Sequence, residues 1–184
     1  MAAMPSQADT SVRIAWADDA PAIADVQLRA WRERYAGVLP PEVIDGWEVA
    51  RFTDRWRHSL ARPADARQRV LVALDRARVT GFVITTPASD PDCDPVADGQ
   101  VDELTVDPGE RGRGHGSRLL QAAADTLRAD RFNRAVCWLS STDDARRAFL
   151  TSTGWAPDGA HRELDLAGDG ALRVKQVRLH TALA

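Results

Sequence analysis

Cysteine is scarce in this chain of 184 residues, which holds two, Cys93 and Cys137. Two cannot build the disulfide framework of a small secreted fold. Cys137 sits inside an apolar run and reads as a small buried hydrophobe, while Cys93 lies in a polar, proline-rich loop. No disulfide and a cytoplasmic setting are therefore expected. The histidines (His58, His115, His161, His180) are scattered without ligand spacing, so no metal site is expected. No apolar run approaches the roughly eighteen residues a membrane-spanning helix needs. The first residues, MAAMPSQADTS, lack the basic start and long apolar stretch of a secretory signal. Positive charge is not in surplus either: the formal net charge is −3, and the short RGRG stretch offers too few phosphate contacts for RNA. Lysine is reduced to Lys175, leaving arginine, the side chain suited to bidentate phosphate contact, as the basic residue.

What is present is ordinary globular composition, 44% hydrophobic and 28% charged. The length suits one domain with a full core, expected over residues 12–184 behind a disordered tail at 1–11. Val12–Trp16 alternates as a first strand. A helix over about 21–36 follows, with Pro21 in its first turn and two apolar stripes, one of Ile23, Val26 and Ala30, the other of Leu28, Trp31 and Tyr35. Leu39-Pro40-Pro41 breaks it, and a second helix is expected over about 41–60. Val70–Leu74 and Val79–Thr86 read as a hairpin, and Pro87–Gly99 as a loop. Val101–Asp107 is a strand, His115–Ala129 a helix, and Ala135–Leu139 a strand covered on both faces. A short helix capped by Asp143 or Asp144 stops at Gly154, and His161–Leu166 with Leu172–His180 closes the chain as a hairpin. The expected architecture is α/β (α+β), a mixed, mostly antiparallel sheet with helices on both faces. Its closing hairpin leaves an edge able to pair with a second copy, which keeps a homodimer open.

The stretch DPGERGRGHGSRLL, from Asp107 to Leu120, carries the chemistry. A strand ending at Pro108, a glycine-rich turn and a helix make an anion site, because the first helical turn has unpartnered N–H groups and the positive end of the helix dipole. Glycines let the main chain approach a bulky phosphate, and Arg111 and Arg113 add charged donors. The pattern is no P-loop, since no Lys-Ser/Thr pair follows. It also departs from the dinucleotide fingerprint, which would need glycine or alanine where Ser117 stands. A turn that merely starts a helix is the alternative.

Arg111-Gly112-Arg113-Gly114-His115-Gly116 resembles the acetyl-CoA-binding motif Arg/Gln-x-x-Gly-x-Gly/Ala of the GNAT (GCN5-related) acyltransferases. ELTVDPGERGRGHGSRLL resembles that family's central strand, turn and helix, and VLVALDRARVTGFVITTP its preceding hairpin. AWRERYAGVLPPEVI is similar to its first two helices, and DDARRAFLTSTGWAPDG to its last helix and the Gly-aromatic pair after it. The resemblance covers roughly Val12 to Leu179. It implies the GNAT fold, with a fourth and fifth strand that run parallel and splay, and coenzyme A between the central strand and Val136–Leu139. The main chain of Leu104, Thr105 and Val106 would pair with the pantetheine arm. The amides of Gly112, Arg113, Gly114, His115, Gly116 and Ser117, with the side chains of Arg111 and Arg113, would hold the pyrophosphate. The Val106 amide would stabilise the oxyanion, and Asp143 stands where the family commonly has an asparagine facing the cofactor.

The implied reaction is acetyl transfer from acetyl-CoA to a primary amine of a small molecule or protein, by direct attack in a ternary complex. The amine must shed a proton, and Glu103 or Asp102 are the candidate bases. Alternation sends them to opposite faces, and Glu103, sharing the face of Thr105, is favoured. Solvated edge carboxylates are the alternative for both. Trp31 and Tyr35 are candidate acceptor contacts or plain core residues. The aspartates of Pro87–Gly99 (Asp90, Asp92, Asp94, Asp98) either attract a cationic amine or sit in a solvated loop. One departure bears on the chemistry. The family's usual tyrosine acid is replaced by Leu150, and Tyr35 is the one tyrosine in the chain. A non-catalytic acyl-CoA-binding module is therefore the second hypothesis.

Overall fold

The computed structural model describes residues 10–166, 168, 170 and 172–183. The elements run β1 (Thr10–Ile14), α1 (Ala20–Tyr35), α2 (Pro41–Asp45), α3 (Val49–Ala61), β2 (Arg69–Asp75), β3 (Arg78–Pro87), β4 (Asp98–Val106), α4 (His115–Ala129), β5 (Arg134–Ser140), α5 (Asp144–Ser152), β6 (Ala156–Asp165) and β7 (Arg173–Ala182). Hydrogen bonding orders the strands β1-β2-β3-β4-β5-β7-β6. β4 and β5 are parallel, and β1/β2, β2/β3, β5/β7 and β6/β7 are antiparallel. The sheet is thus mixed, as the connections required. The described residues form two compact units, one from Met1–Thr85 with Glu103–Asp125, the other from Thr86–Asp102 with Thr126–Ala184.

In the first unit the core lies where α1 and α3 cover β2 and β3. Ile23, Val26 and Leu28 of α1 and Phe52 and Trp56 of α3 join Val70, Val72, Leu74, Val79 and Phe82 in one buried cluster. Both helices present apolar stripes at helical spacing, and the strands present alternate residues. Phe82 is fully buried, with Trp56 edge-on at 5.1 Å, a burial worth roughly 1.5–3 kcal/mol. The next residue back, Gly81, faces the other way. A Cβ there would lie 2.7 Å from the Thr105 carbonyl and 3.1 Å from Leu119 Cδ1. Successive strand residues point to opposite faces, so α4 covers the face opposite α1 and α3, and close approach requires glycine at position 81.

In the second unit β5 is the buried strand, with Ala135, Val136, Cys137 and Leu139 almost fully covered. Burial pushes the Cys137 thiol up to about 11, so it acts as a small hydrophobe; both cysteines are free. The parallel ladder of β4 and β5 is three pairs long, Asp98↔Arg134, Gly99↔Ala135 and Gln100↔Val136, and then ends. At Gly99 a Cβ would meet Leu127 at 2.6 Å and Phe132 at 3.1 Å. Asp143 caps α5, its carboxylate accepting from the Arg146 amide at 3.0 Å, and the chain turns after the helix at Gly154, at φ +91°.

Four expectations need correction. The helix expected over 41–60 is two helices. Gly46 closes α2, its amide donating to the Glu42 carbonyl, and Glu48 is extended at φ −102°, ψ 127°. The turn between them brings the Trp47 ring to 5.9 Å from that of Trp31. The tail expected over 1–11 falls outside the described residues at 1–9, but Thr10 and Ser11 already pair with Asp75 and Leu74. The first strand ends at Ile14, before Trp16. β4 and β6 begin earlier than expected, at Asp98 and Ala156, because ladder bonds with β5 and β7 extend them past their apolar residues. No described helix is long and apolar enough to cross a membrane.

Candidate functional site

Two features of the first unit hold the residues singled out by sequence. The first is the loop from Asp107 to Gly114. Its entry is pinned by charge. The Asp107 carboxylate accepts from Arg29 Nε and Nη2 at 3.1 and 2.6 Å and from the Gly109 amide at 3.1 Å. Burial pushes the Asp107 carboxyl up, but Arg29 and the Gly109 amide outweigh it and hold it below its ordinary range. Glu110, also buried, pairs with Arg78 and, at 2.8 Å, with Arg113; Arg78 above all holds its carboxyl down. Gly112 and Gly114 then take φ +76° and +80°, the left-handed region open to glycine. Arg118 folds under the turn, with Nη1 3.1 Å from the Arg113 carbonyl, and would lie 3.2 Å from a Cβ on Gly114. At Gly112 a Cβ would meet nothing within 4 Å.

The sequence-derived anion ligands divide accordingly. Arg111 and Arg113 are half-exposed or more, and each is paired with a carboxylate, Glu33 and Glu110 respectively. His115 is buried at 2% exposure, and its Nδ1 has no protein partner. Burial first, then Arg118, lowers the imidazole below its ordinary value and keeps it neutral near pH 7. What His115 can offer an anion is thus its main-chain amide. Gly116 is half-buried and Ser117 exposed at the start of α4. The loop and helix start can present main-chain amides and the helix dipole to an anion, with arginine at the rim.

The second feature is the end of β4. Glu103 is half-buried. Its Oε1 accepts from the Trp31 indole Nε1 at 2.9 Å and from Thr105 Oγ1 at 2.9 Å, and its Oε2 accepts from Gln27 Nε2 at 3.3 Å. Gln27 Oε1 in turn accepts from Trp56 Nε1 at 2.8 Å. No ion pair reaches Glu103 among the described residues. Asp102 is exposed and accepts one bond, from Gln100 Nε2, against the three that Glu103 accepts. Glu103 and Thr105 do share a face, and Leu104 and Thr105 are buried while Val106 is half-buried. Trp31 also meets Tyr35, Trp47 and Phe52 edge-on, with ring centroids 5.7–5.9 Å away. It is both a core residue and a donor to the candidate base. Gln27 was missed by sequence reasoning. Its signal was a polar residue at i, i+4, i+8 spacing with Trp31 and Tyr35 on an otherwise apolar stripe.

In the second unit Asp143 is committed as the helix cap of α5, and Leu150 is buried at 1% exposure. The aspartates of the Pro87–Gly99 loop attract cations of this chain itself. Arg178, 3% exposed, donates to Asp90 at 3.1 Å, to Asp92 at 2.8 and 2.5 Å and to Asp158 at 2.7 Å. Arg134 pairs with Asp98 at 3.1 Å, and Asp94 accepts from the Val96 amide. Asp90, Asp92 and Cys93 bring ligand atoms within 4.8 Å of one another, but the Arg178 guanidinium sits where a cation would. The reading of this loop as a lure for a cationic amine is therefore corrected: three of its carboxylates are already neutralised.

The model of the acetyltransferase (GNAT) family matches residues 26–155. A mycothiol acetyltransferase of Beutenbergia cavernae is 34% identical over 67 residues, which is 36% of this chain and 23% of that protein's length. Among solved structures, the PaiA N-acetyltransferase of Thermoplasma acidophilum in complex with coenzyme A aligns over 94% of this chain and 98% of its own, with a TM-score of 0.71 and 14% identity. YncA of Salmonella typhimurium, with its cofactor acetyl-CoA, aligns over 96% of this chain and 95% of its own, with a TM-score of 0.68 and 16% identity.

Proposed function

Because the chain belongs to the acetyltransferase (GNAT) family, we propose that it transfers the acetyl group of acetyl-CoA to a primary amine by direct attack in a ternary complex, with residues 12–184 acting as one cytoplasmic transferase domain. The observation that carries this reading is Glu103, a carboxylate held by three neutral donors at the start of the segment Leu104–Val106 that leads into the glycine loop. An alkylammonium has a pKa near ~10, so an amine must lose a proton before it can attack. Glu103 accepts that proton, with no cation among the described residues paired to it. The Val106 amide donates to the carbonyl oxygen as it becomes an oxyanion when the C–N bond forms. Collapse breaks the C–S bond and releases a thiolate with a pKa around ~8.5, a tolerable leaving group without a tyrosine acid.

The main chain of Leu104, Thr105 and Val106 aligns the pantetheine arm as a neighbouring strand would. The amides of Gly112 through Ser117 face the pyrophosphate. Arg111 and Arg113 keep further N–H donors beyond those used on Glu33 and Glu110. Trp31 and Tyr35 contact the acceptor. A second reading, an acyl-CoA-binding module without transfer, is favoured by the buried Leu150 and by an Asp143 already spent on its helix cap.

Coenzyme A is expected to raise the melting temperature of the wild-type protein, by an amount equivalent to about 2.7 kcal/mol at a hundred times its Kd. A side chain at Gly114 both strains a left-handed residue and meets Arg118. Gly114→Val should therefore lose most of that rise when compared with its own ligand-free melting temperature. A wild-type protein that is not stabilised by millimolar coenzyme A contradicts the assignment of the loop.

A further inference from the structure

We infer that Gln27 and Trp56 are positioning residues that decide which oxygen of Glu103 takes the proton from the acceptor amine; the inference rests on Glu103 being the base. An indole N–H can only donate. The Trp56 N–H is buried, and its partner is Gln27 Oε1 at 2.8 Å. That bond fixes the amide. With its oxygen committed to Trp56, its NH2 must face Glu103, where Nε2 lies 3.3 Å from Oε2. Turned over, the amide would set N–H against N–H at Trp56 and carbonyl against carboxylate at Glu103. The Trp56 ring is itself held edge-on to Phe82, so the chain of bonds is anchored in the core.

At Glu103 the two oxygens then differ. Oε1 receives two donors, Trp31 and Thr105, both at 2.9 Å, which fills its two lone-pair directions. Among the described residues Oε2 receives one longer bond, from Gln27, which leaves one of its lone pairs open. The proton therefore goes to Oε2. An N–H bond of the ammonium breaks, an O–H bond forms at Oε2, and the electron pair stays on nitrogen to attack the thioester carbon. Gln27 remains on the other lone pair of Oε2 throughout. Gln27 and Trp56 touch no reacting atom and act by holding the carboxylate plane.

The test compares Trp56→Phe, which keeps a ring against Phe82 and removes the N–H, with Gln27→Leu and the double variant. The probes are acetyl-CoA with 2-phenylethylamine, spermidine, glucosamine and a peptide with N-terminal alanine. Each single variant should lower kcat about tenfold, with KM for acetyl-CoA within about twofold of wild type. The double variant should be no slower than Gln27→Leu alone, and its loss in melting temperature should be smaller than the sum of the two single losses, because both substitutions break the same hydrogen bond. Val72→Ala, a cavity in the same core cluster, should lower the melting temperature and leave kcat unchanged. Without any turnover, the indole N–H signal of Trp31 in the NMR spectrum should move in Trp56→Phe and stay in Val72→Ala. An unmoved Trp31 signal, an unchanged kcat in Trp56→Phe, or kcat losses that multiply in the double variant overturn the proposal. Wild-type kcat in Glu103→Gln instead overturns the assignment of the base beneath it.

Discussion

Glu103→Gln is expected to lower kcat for amine acetylation by about 10²–10³-fold and to leave coenzyme A binding unchanged. The substitution keeps shape and removes the capacity to take a proton. An amide also disturbs the donors gathered there. Trp31, Thr105 and Gln27 all donate to the carboxylate, and a glutamine that places its NH2 toward either set opposes N–H to a donor. One lost partner of this kind costs about 1–3 kcal/mol, so the variant should also melt lower. The pH dependence separates the two effects. The free-amine fraction of an acceptor with a pKa near ~10 rises tenfold per pH unit below that value. A variant that lacks the base should therefore recover toward wild type as the pH approaches ~10, whereas damage to folding would not recover. Thiol release followed from pH 7 upward, with melting temperatures alongside, checks this.

Arg178→Met is expected to cost about 3–5 kcal/mol of stability, since removing one partner leaves uncompensated buried charge. The guanidinium is nearly fully buried and bridges Asp90, Asp92 and Asp158, of which Asp90 and Asp158 are themselves largely buried. At roughly 2–4 °C per kcal/mol for a chain of this size, the melting temperature should fall by about 6–20 °C. Arg178→Lys should recover only part of this, because one ammonium cannot reach three carboxylates as a planar fork does. The acid side of the profile carries a sign. The hydrogen bond from Arg178 lowers the Asp92 carboxyl from 3.8 to about 2. A depressed carboxylate contributes stability that is fully present above the unfolded pKa and is lost as pH falls through the folded one. Wild type should therefore lose stability between pH 3.8 and about 2 in a way that Arg178→Met cannot, and the gap between them should narrow on acidification. Thermal denaturation of both proteins from pH 7 to pH 2 measures it.

What was legible in the sequence was local. The spacing of Gly112, Gly114 and Gly116 after a strand marked the turn, and Leu119, Leu120, Ala123 and Leu127 marked α4 to its observed ends. Alternation along β4 put Glu103 on the face of Thr105, where their hydrogen bond lies. What escaped was decided by distant partners. Gln27 and Glu103 are 76 positions apart, and Arg178 and Asp90 are 88 apart, so no window of sequence shows either bond. The break between α2 and α3 was masked differently: Val43, Trp47 and Ala50 continue the helical period across it, although Gly46 closes α2 and Glu48 is extended. Arg111 and Arg113 read as phosphate ligands because their spacing fits; their pairing with Glu33 and Glu110 depends on α1 and on the turn before them.

The most direct measurement is the release of coenzyme A thiol by the wild-type protein from acetyl-CoA, with and without amines from a broad panel, together with mass spectrometry of the amine. The expected result is amine-dependent thiol release in step with formation of the acetylated amine, one for one. A protein that is stabilised by coenzyme A yet releases no thiol above the enzyme-free rate with any amine would contradict it and leave the acyl-CoA-binding module as the function.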